Sequence, residues 1–247
     1  MPAPATPTVR THPSQISPAA HVSTGCALRY QSTLRYTDRA TKARYIADKY
    51  ADLLRSTVLD VGCDTAALRA LVAQPGLYRG VDLGSGADVV VNLDQENLPF
   101  SDRSFETVVC TDVLEHLERC HAVMDELCRV SSNCVLVSLP NPLATLVQNL
   151  HDGGHGKIKY YGLPVDPPAD RHRWFFGYEE AAAFLTQRGA RQGFEVEQLD
   201  VEGSTSLYWR VGRAQRDVFA SPNVQAGTTW CVLRRARIAS DSGGSYL

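Results

Sequence analysis

Short apolar runs, each closing on a polar or acidic residue and separated by stretches of helical period, set the frame of this chain. Thr57–Val61, Tyr78–Asp82, Asp88–Asn92, Thr107–Thr111 and Cys134–Leu139 are rich in β-branched residues and too short for helices, so they read as strands. Apolar positions recur three and four apart over Thr65–Ala73, His121–Val130 and Tyr178–Gln187, which predicts helices. Strands alternating with helices build a parallel sheet covered on both faces. Two further runs near Phe194–Glu202 and Thr229–Arg234 complete it. A helix also precedes this core over Tyr36–Arg55, where Tyr45, Ile46, Tyr50, Leu53 and Leu54 share a face and Thr37 or Asp38 supplies an N-cap.

The stretch Val58–Leu71, VLDVGCDTAALRAL, passes from strand through a tight turn into a helical pattern. In a parallel sheet, ligands bind outside the carboxyl ends of the strands, where backbone N–H groups and helix N-termini converge. Gly62 lets the backbone approach a ligand closely, and Asp60 sets a carboxylate at the mouth of the turn. Asp82 ends the next strand about twenty residues further on, the spacing at which an acid accepts both hydrogen bonds of a ribose diol.

Four segments in order, VLDVGC, GVDL, NLPFSDRSFETVVCTDVLEHL and VLVSLPNP, resemble the class I S-adenosylmethionine-dependent methyltransferases, in particular those of small molecules; the likeness runs over roughly Tyr36–Leu199. It implies a Rossmann-like α/β fold, with a seven-stranded, mostly parallel sheet, helices on both faces and an antiparallel last strand. It implies S-adenosyl-L-methionine as cofactor, held by Asp60, Gly62, Cys63, Asp82 and Thr111, with Asp94 on the adenine amino group beside Leu83 and Gln95. A carboxylate suits that amino group because it only accepts. The helix before the core would cover the cofactor, which would turn Arg44 and Tyr45 toward it; packing on the sheet is the plainer reading. The chain departs from the family where Asp64 and Ala66 replace the second and third glycines of the turn. Asp64 brings a negative charge near the cofactor's carboxylate, although the cofactor also carries an ammonium and a sulfonium.

The candidate chemistry follows the fourth strand. If Thr111–His116 is helical, Asp112, Glu115 and His116 share one face as a mixed O/N set suited to a divalent cation. The pattern is similar to the acid-x-x-Glu-His motif of metal-assisted O-methyltransferases of ubiquinone synthesis and of small-RNA 2′-hydroxyl methylation. In the latter a further histidine completes the site, and His172 in DRHRW is placed to offer one. A metal there would lower the pKa of the hydroxyl to be methylated. In many relatives, though, the motif holds no metal and merely fixes a helix start. His116 and His172 are then the candidate catalytic residues, as general bases, with Asp170 beside them.

Residues 141–177 form the main insertion, on the acceptor side. Its Gly, Pro, His and aromatic content reads as an ordered loop over a pocket, with Tyr160, Tyr161, Trp174 and Phe175 to hold sugar or aromatic rings. YYG-x-P…DRHRWFF also bears a faint resemblance to methyltransferases found with bacterial surface-polysaccharide enzymes, and His151-x-x-x-His155 has ligand spacing without a helix to align it. The domain is expected over 25–237. Residues 1–24, rich in Pro, Ala, Ser and Thr, and 238–247 read as tails.

Charge and composition narrow the partners. With 25 basic and 27 acidic residues the chain has no electrostatic footprint for nucleic acid or an anionic membrane. No apolar run approaches a membrane span, and seven cysteines without CxxC spacing read as small hydrophobes of a reducing, cytoplasmic setting. Nothing specifies an oligomeric state. The expected reaction is in-line transfer of the sulfonium methyl to an oxygen or nitrogen of a small metabolite or saccharide. Three alternatives are weighed: a metal-assisted O-methyltransferase of a vicinal diol or ribose, a degenerate module that binds S-adenosylmethionine without turnover, and a nicotinamide oxidoreductase. The oxidoreductase lacks its GxGxxG.

Overall fold

In the computed structural model, which describes residues 29–31, 36–151, 153, 160–203 and 221–236, eight strands form one sheet. They are β1 (Arg29–Gln31), β2 (Val58–Val61), β3 (Tyr78–Asp82), β4 (Val89–Val90), β5 (Phe105–Thr111), β6 (Ser131–Pro140), β7 (Phe194–Gly203) and β8 (Ala226–Arg235), in the order β1-β7-β8-β6-β5-β2-β3-β4. Only the two pairings of β8 are antiparallel. The expected seven strands are all present. The eighth, β1, joins the edge beside β7 and is too short to show a period.

Side chains of the inner strands alternate between two cores. Leu59, Val61, Val108, Cys110, Val135 and Val137 pack under α2 (Cys120–Val130) and α4 (Tyr178–Arg191). Val58, Val109 and Leu136 face α1 (Arg39–Lys49) and the aromatic group of Tyr45, Tyr50 and Trp230. Strands buried on both faces carry apolar residues on both, which is why they read as runs. Between α1 and β7, Lys49 Nζ meets Asp200 Oδ2 at 2.7 Å, with side chains 7% and 1% exposed.

Asp38 caps α1: its Oδ1 accepts from Thr41 N at 2.8 Å, while Thr41 Oγ1 accepts from Asp38 N at 3.1 Å, a reciprocal capping box. The helix ends at Lys49, and Ala51–Leu54 continues as a 3₁₀ turn, so the predicted 36–55 element is shorter and divided. Two expectations fail more sharply. Thr65–Ala73 is not an α-helix but a 3₁₀ turn over Ala67–Leu71, entered through Ala66 in the left-handed region without a side-chain cap. Pro75 holds Gln74 extended and stops the element before a stable helix has room to form. The insertion, conversely, begins with a helix, α3 (Pro142–His151), whose first N–H groups are met by Asn141 Oδ1 at 3.0 and 3.2 Å. Predicted strand 88–92 is reduced to Val89–Val90. A short helix, α5 (Pro222–Gln225), precedes β8. Residues 1–24, 238–247 and His155 lie outside the described residues.

Gly62 has φ +78°, and a Cβ there would lie 2.2 Å from Val113 Cγ2, so only glycine fits between the tips of β2 and β5. Asp64 and Ala66 also take positive φ, +47° and +54°. That conformation costs a non-glycine residue about 1–2 kcal/mol, partly offset by glycine's greater loss of freedom on folding. Ala66→Gly is therefore expected to raise stability by about 0.5 kcal/mol, read from the urea midpoint at constant slope. No helix among the described residues is long and apolar enough to cross a membrane.

Candidate active site

Two clefts open at the carboxyl ends of β2, β3 and β5. One, of about 410 Å³, is lined by Asp60, Gly62, Cys63, Thr111 and the start of α1; the other, of about 500 Å³, by Asp82, Leu83, Asp94 and Gln95. They share Arg39, Gly62, Asp112, His116 and Asp170, so they form one trough folded around the Gly62 turn. All eight residues expected at the cofactor lie along it.

Their surroundings differ. Asp82 is drawn across the gap between strand tips: Oδ2 accepts from Asp64 N at 2.9 Å and Oδ1 from Gly84 N at 3.0 Å. The left-handed turn at Asp64 thus fixes the ribose candidate's rotamer. Leu83 beside it is 67% exposed, an apolar face open to the trough. Asp94 Oδ1 accepts from Arg119 N at 3.2 Å, and Asp94 N donates to Asn92 Oδ1 at 3.1 Å. Asp60 is buried and accepts from Tyr78 Oη at 2.6 Å. Burial pushes its carboxyl up to about 6, against the pull of the Tyr78 hydroxyl and the Lys42 charge. Burial likewise pushes the Cys63 thiol up to about 11, so it lines the trough as a thiol, not a nucleophile.

Helix α1 does cover the trough, but not with Arg44 and Tyr45. Arg44 is exposed, and Tyr45 packs against Trp230 at 5.0 Å between ring centres. Arg39, Lys42, Ala43 and Ile46 face the cleft, the i, i+3, i+4, i+7 set from the capped end. Sequence reasoning missed both cations, although placing the N-cap at Asp38 defines that face. Arg39 Nε meets Asp64 Oδ2 at 2.8 Å and Lys42 Nζ meets Asp112 Oδ2 at 2.5 Å. The charge introduced by Asp64 is therefore balanced from α1.

After β5 the backbone does not enter an α-helix. Asp112 takes φ +53° and Leu114–His116 is a 3₁₀ turn. Asp112 consequently turns to Lys42 and to the Ser138 hydroxyl, whose Oγ donates to Oδ1 at 2.5 Å, and does not join the ligand group of Glu115 and His116. In its place the insertion brings His172: ligand atoms of Glu115, His116 and His172 all lie within 4.8 Å of one another. The loop is tied over this point by Arg173 N donating to Glu115 O at 2.7 Å, Trp174 Nε1 to Leu117 O at 2.7 Å, and the Tyr161 hydroxyl to Trp174 O. The His172 ring stacks on Tyr160 at 4.3 Å and meets His116 edge-on at 4.5 Å. His116 Nδ1 stands 2.5 Å from Asp170 Oδ1. Glu115 is 1% exposed, neither carboxylate oxygen has a hydrogen-bond partner among the described residues, and burial with the nearby Asp112 charge holds its carboxyl well above the usual range.

A nucleoside-sized trough with acids at the tips of neighbouring parallel strands, beside a turn pinned by glycine, defines the class I methyltransferase architecture. A family model described as a methyltransferase domain matches residues 34–199, and the chain belongs to that family. It is an S-adenosylmethionine-dependent methyltransferase. No curated protein sequence matches it. Among solved structures it is similar in fold to the methyltransferase domain of bacterial CtHen1-C, at 15% identity over 80% of this chain and 98% of that one, with TM-score 0.53. It is also similar to an S-adenosylmethionine-dependent methyltransferase of Archaeoglobus fulgidus, at 17% identity over 80% and 95% of the two chains, with TM-score 0.51.

Proposed function

We propose that the enzyme methylates an oxygen or nitrogen of a small metabolite or saccharide, with Asp60, Gly62, Asp82 and Asp94 holding the donor and His116 and His172 serving the acceptor. The observation that carries this reading is that the insertion sets Tyr160, Asp170 and His172 over the trough beside His116 of the turn after β5. The donor supplies an activated methyl: the acceptor's lone pair bonds its carbon as the C–S bond breaks and that pair returns to sulfur. The protein then has to align and to accept one proton. Asp170 beside His116 Nδ1 orients that ring, and Tyr160 fixes the plane of His172, so either imidazole can take the acceptor's proton. Six free, buried cysteines among the described residues support a reducing, cytoplasmic setting.

His172→Ala is expected to slow turnover about 10²-fold while leaving donor affinity unchanged in calorimetry. The assay follows label from the methyl donor into lysate fractions, and full activity would remove His172 from the site.

A second reading rests on the Glu115–His116–His172 group. The imidazole nitrogens and the carboxylate of this group, all within 4.8 Å of one another, fit a divalent cation, which would make an acceptor hydroxyl more acidic. On this reading EDTA silences turnover and added Mg²⁺, Mn²⁺ or Zn²⁺ restores it, whereas indifference to chelation ends it.

A further inference from the structure

Behind the Leu114–His116 turn lies a separate, partly open cavity of about 180 Å³, lined mainly by Leu114, Leu139, Trp174, Phe176, Ala181 and Phe184, with Cys120, His121, Phe175 and Glu180 completing its wall. The methyltransferase site does not account for it: none of these side chains lines the donor trough. Glu115, however, lines both the cavity and the trough, so its side chain is their common wall. It is the buried carboxyl whose two oxygens have no hydrogen-bond partner among the described residues, and His116 Nε2 at 3.7 Å from Oε1 is beyond hydrogen-bond reach. Buried polar atoms left without partners cost of order 1–3 kcal/mol each, so such a group points to a ligand that supplies the missing donor.

The walls fix the kind of ligand. A cavity of about 150 Å³ lined by apolar side chains takes up benzene, so this one has room for a single substituted ring. Besides Glu115 only His121 and Glu180 bring charged or imidazole groups to a mainly apolar wall, so a sugar would leave several hydroxyls unpaired against Trp174, Phe176 and the two leucines. Its position, outside the carboxyl ends of β5 and β6, is where an acceptor would reach the donor methyl.

We propose that this cavity receives the apolar ring of the acceptor, and that Glu115 accepts a hydrogen bond from a hydroxyl or amino group carried on that ring. The proposal rests on the reading of the Glu115–His116–His172 side as the acceptor side, and narrows it from small metabolites or saccharides to single-ring phenols or arylamines.

Three probes separate the contributions in ligand-observed NMR titration of the full chain. 4-Methylphenol offers ring and donor, toluene the ring alone, and methyl glucoside donors without the ring. The wild type binds 4-methylphenol about tenfold more tightly than toluene, one net hydrogen bond, and methyl glucoside does not compete. Ala181→Phe fills the cavity and weakens 4-methylphenol about tenfold, with S-adenosylmethionine affinity unchanged. Glu115→Leu brings 4-methylphenol and toluene to equal affinity. If circular dichroism shows that Ala181→Phe misfolds, Phe184→Trp narrows the same space. No binding of 4-methylphenol, equal binding of 4-methylphenol and toluene by the wild type, or affinity indifferent to filling the cavity overturns the proposal. A protein that binds S-adenosylmethionine but not 4-methylphenol refutes this inference alone. One that binds 4-methylphenol as described but no donor refutes the donor-site reading instead.

Discussion

Asp82→Ala is expected to lower affinity for S-adenosylmethionine and its demethylated product about 10²-fold. A ribose diol gives the carboxylate two hydrogen bonds, and bonds to a charged group contribute about 1.5–3 kcal/mol each, so losing both removes about 3 kcal/mol or more. The fold should survive, because the N–H groups of Asp64 and Gly84 released by the change lie in exposed turns where water replaces the carboxylate. Titration calorimetry beside a thermal melt separates the two effects. Unchanged binding would remove Asp82 from the nucleoside site, and a collapsed melt would make its role structural. Asp82→Asn keeps the acceptor but loses the charge, and is expected to fall between Ala and the parent.

Lys49→Met is expected to destabilise the fold by about 3–5 kcal/mol, because it strands the Asp200 carboxylate where 1% of the side chain reaches solvent. Lys49 also donates to Tyr45 Oη at 2.9 Å, and its own ammonium is disfavoured by burial, which the Asp200 charge offsets. The loss is a large share of an ordinary domain's 5–15 kcal/mol. Urea unfolding checks it. Pairing the change with Asp200→Leu should restore part of the loss, since an apolar replacement of both partners leaves no stranded charge. If the double variant is no more stable than the single, desolvation of Asp200 is not what the lysine relieves.

The sheet was legible because β2, β5 and β6 are covered on both faces, so burial is written into them as apolar runs, whereas β3, with Arg79 exposed, carries a weaker pattern. Three residues of β1 could not carry such a pattern. Helix α3 carries its own start signal, Asn141 as N-cap and Pro142 at the first helical position, within an insertion whose Gly-rich half otherwise gives it the composition of a loop. Asp60 and Asp82 were readable because strand tips in a parallel sheet are where ligands bind, whereas Asp94, in the loop after β4, followed only from the family resemblance. Arg39 and Lys42 were only partly readable: the N-cap at Asp38 groups them on one face of α1, but packing of Tyr45 and Tyr50 on Trp230 decides that this face turns to the trough. The metal candidates were half readable. Periodicity grouped Asp112 with Glu115 and His116 on an assumed helix, but the positive φ at Asp112 turned it aside, and the loop brought His172 to the remaining pair.

The place of β8 inside the sheet bears on how the chain assembles during synthesis. Residues 226–235 separate β6 from β7, so until they leave the ribosome β6 presents an unpaired apolar edge, and β7 with β1 beside it cannot join the rest of the sheet. Closure therefore waits on contacts between distant parts of the polypeptide, which makes for slow folding and gives a nascent chain stalled before residue 226 a sticky flank for holding chaperones to cover.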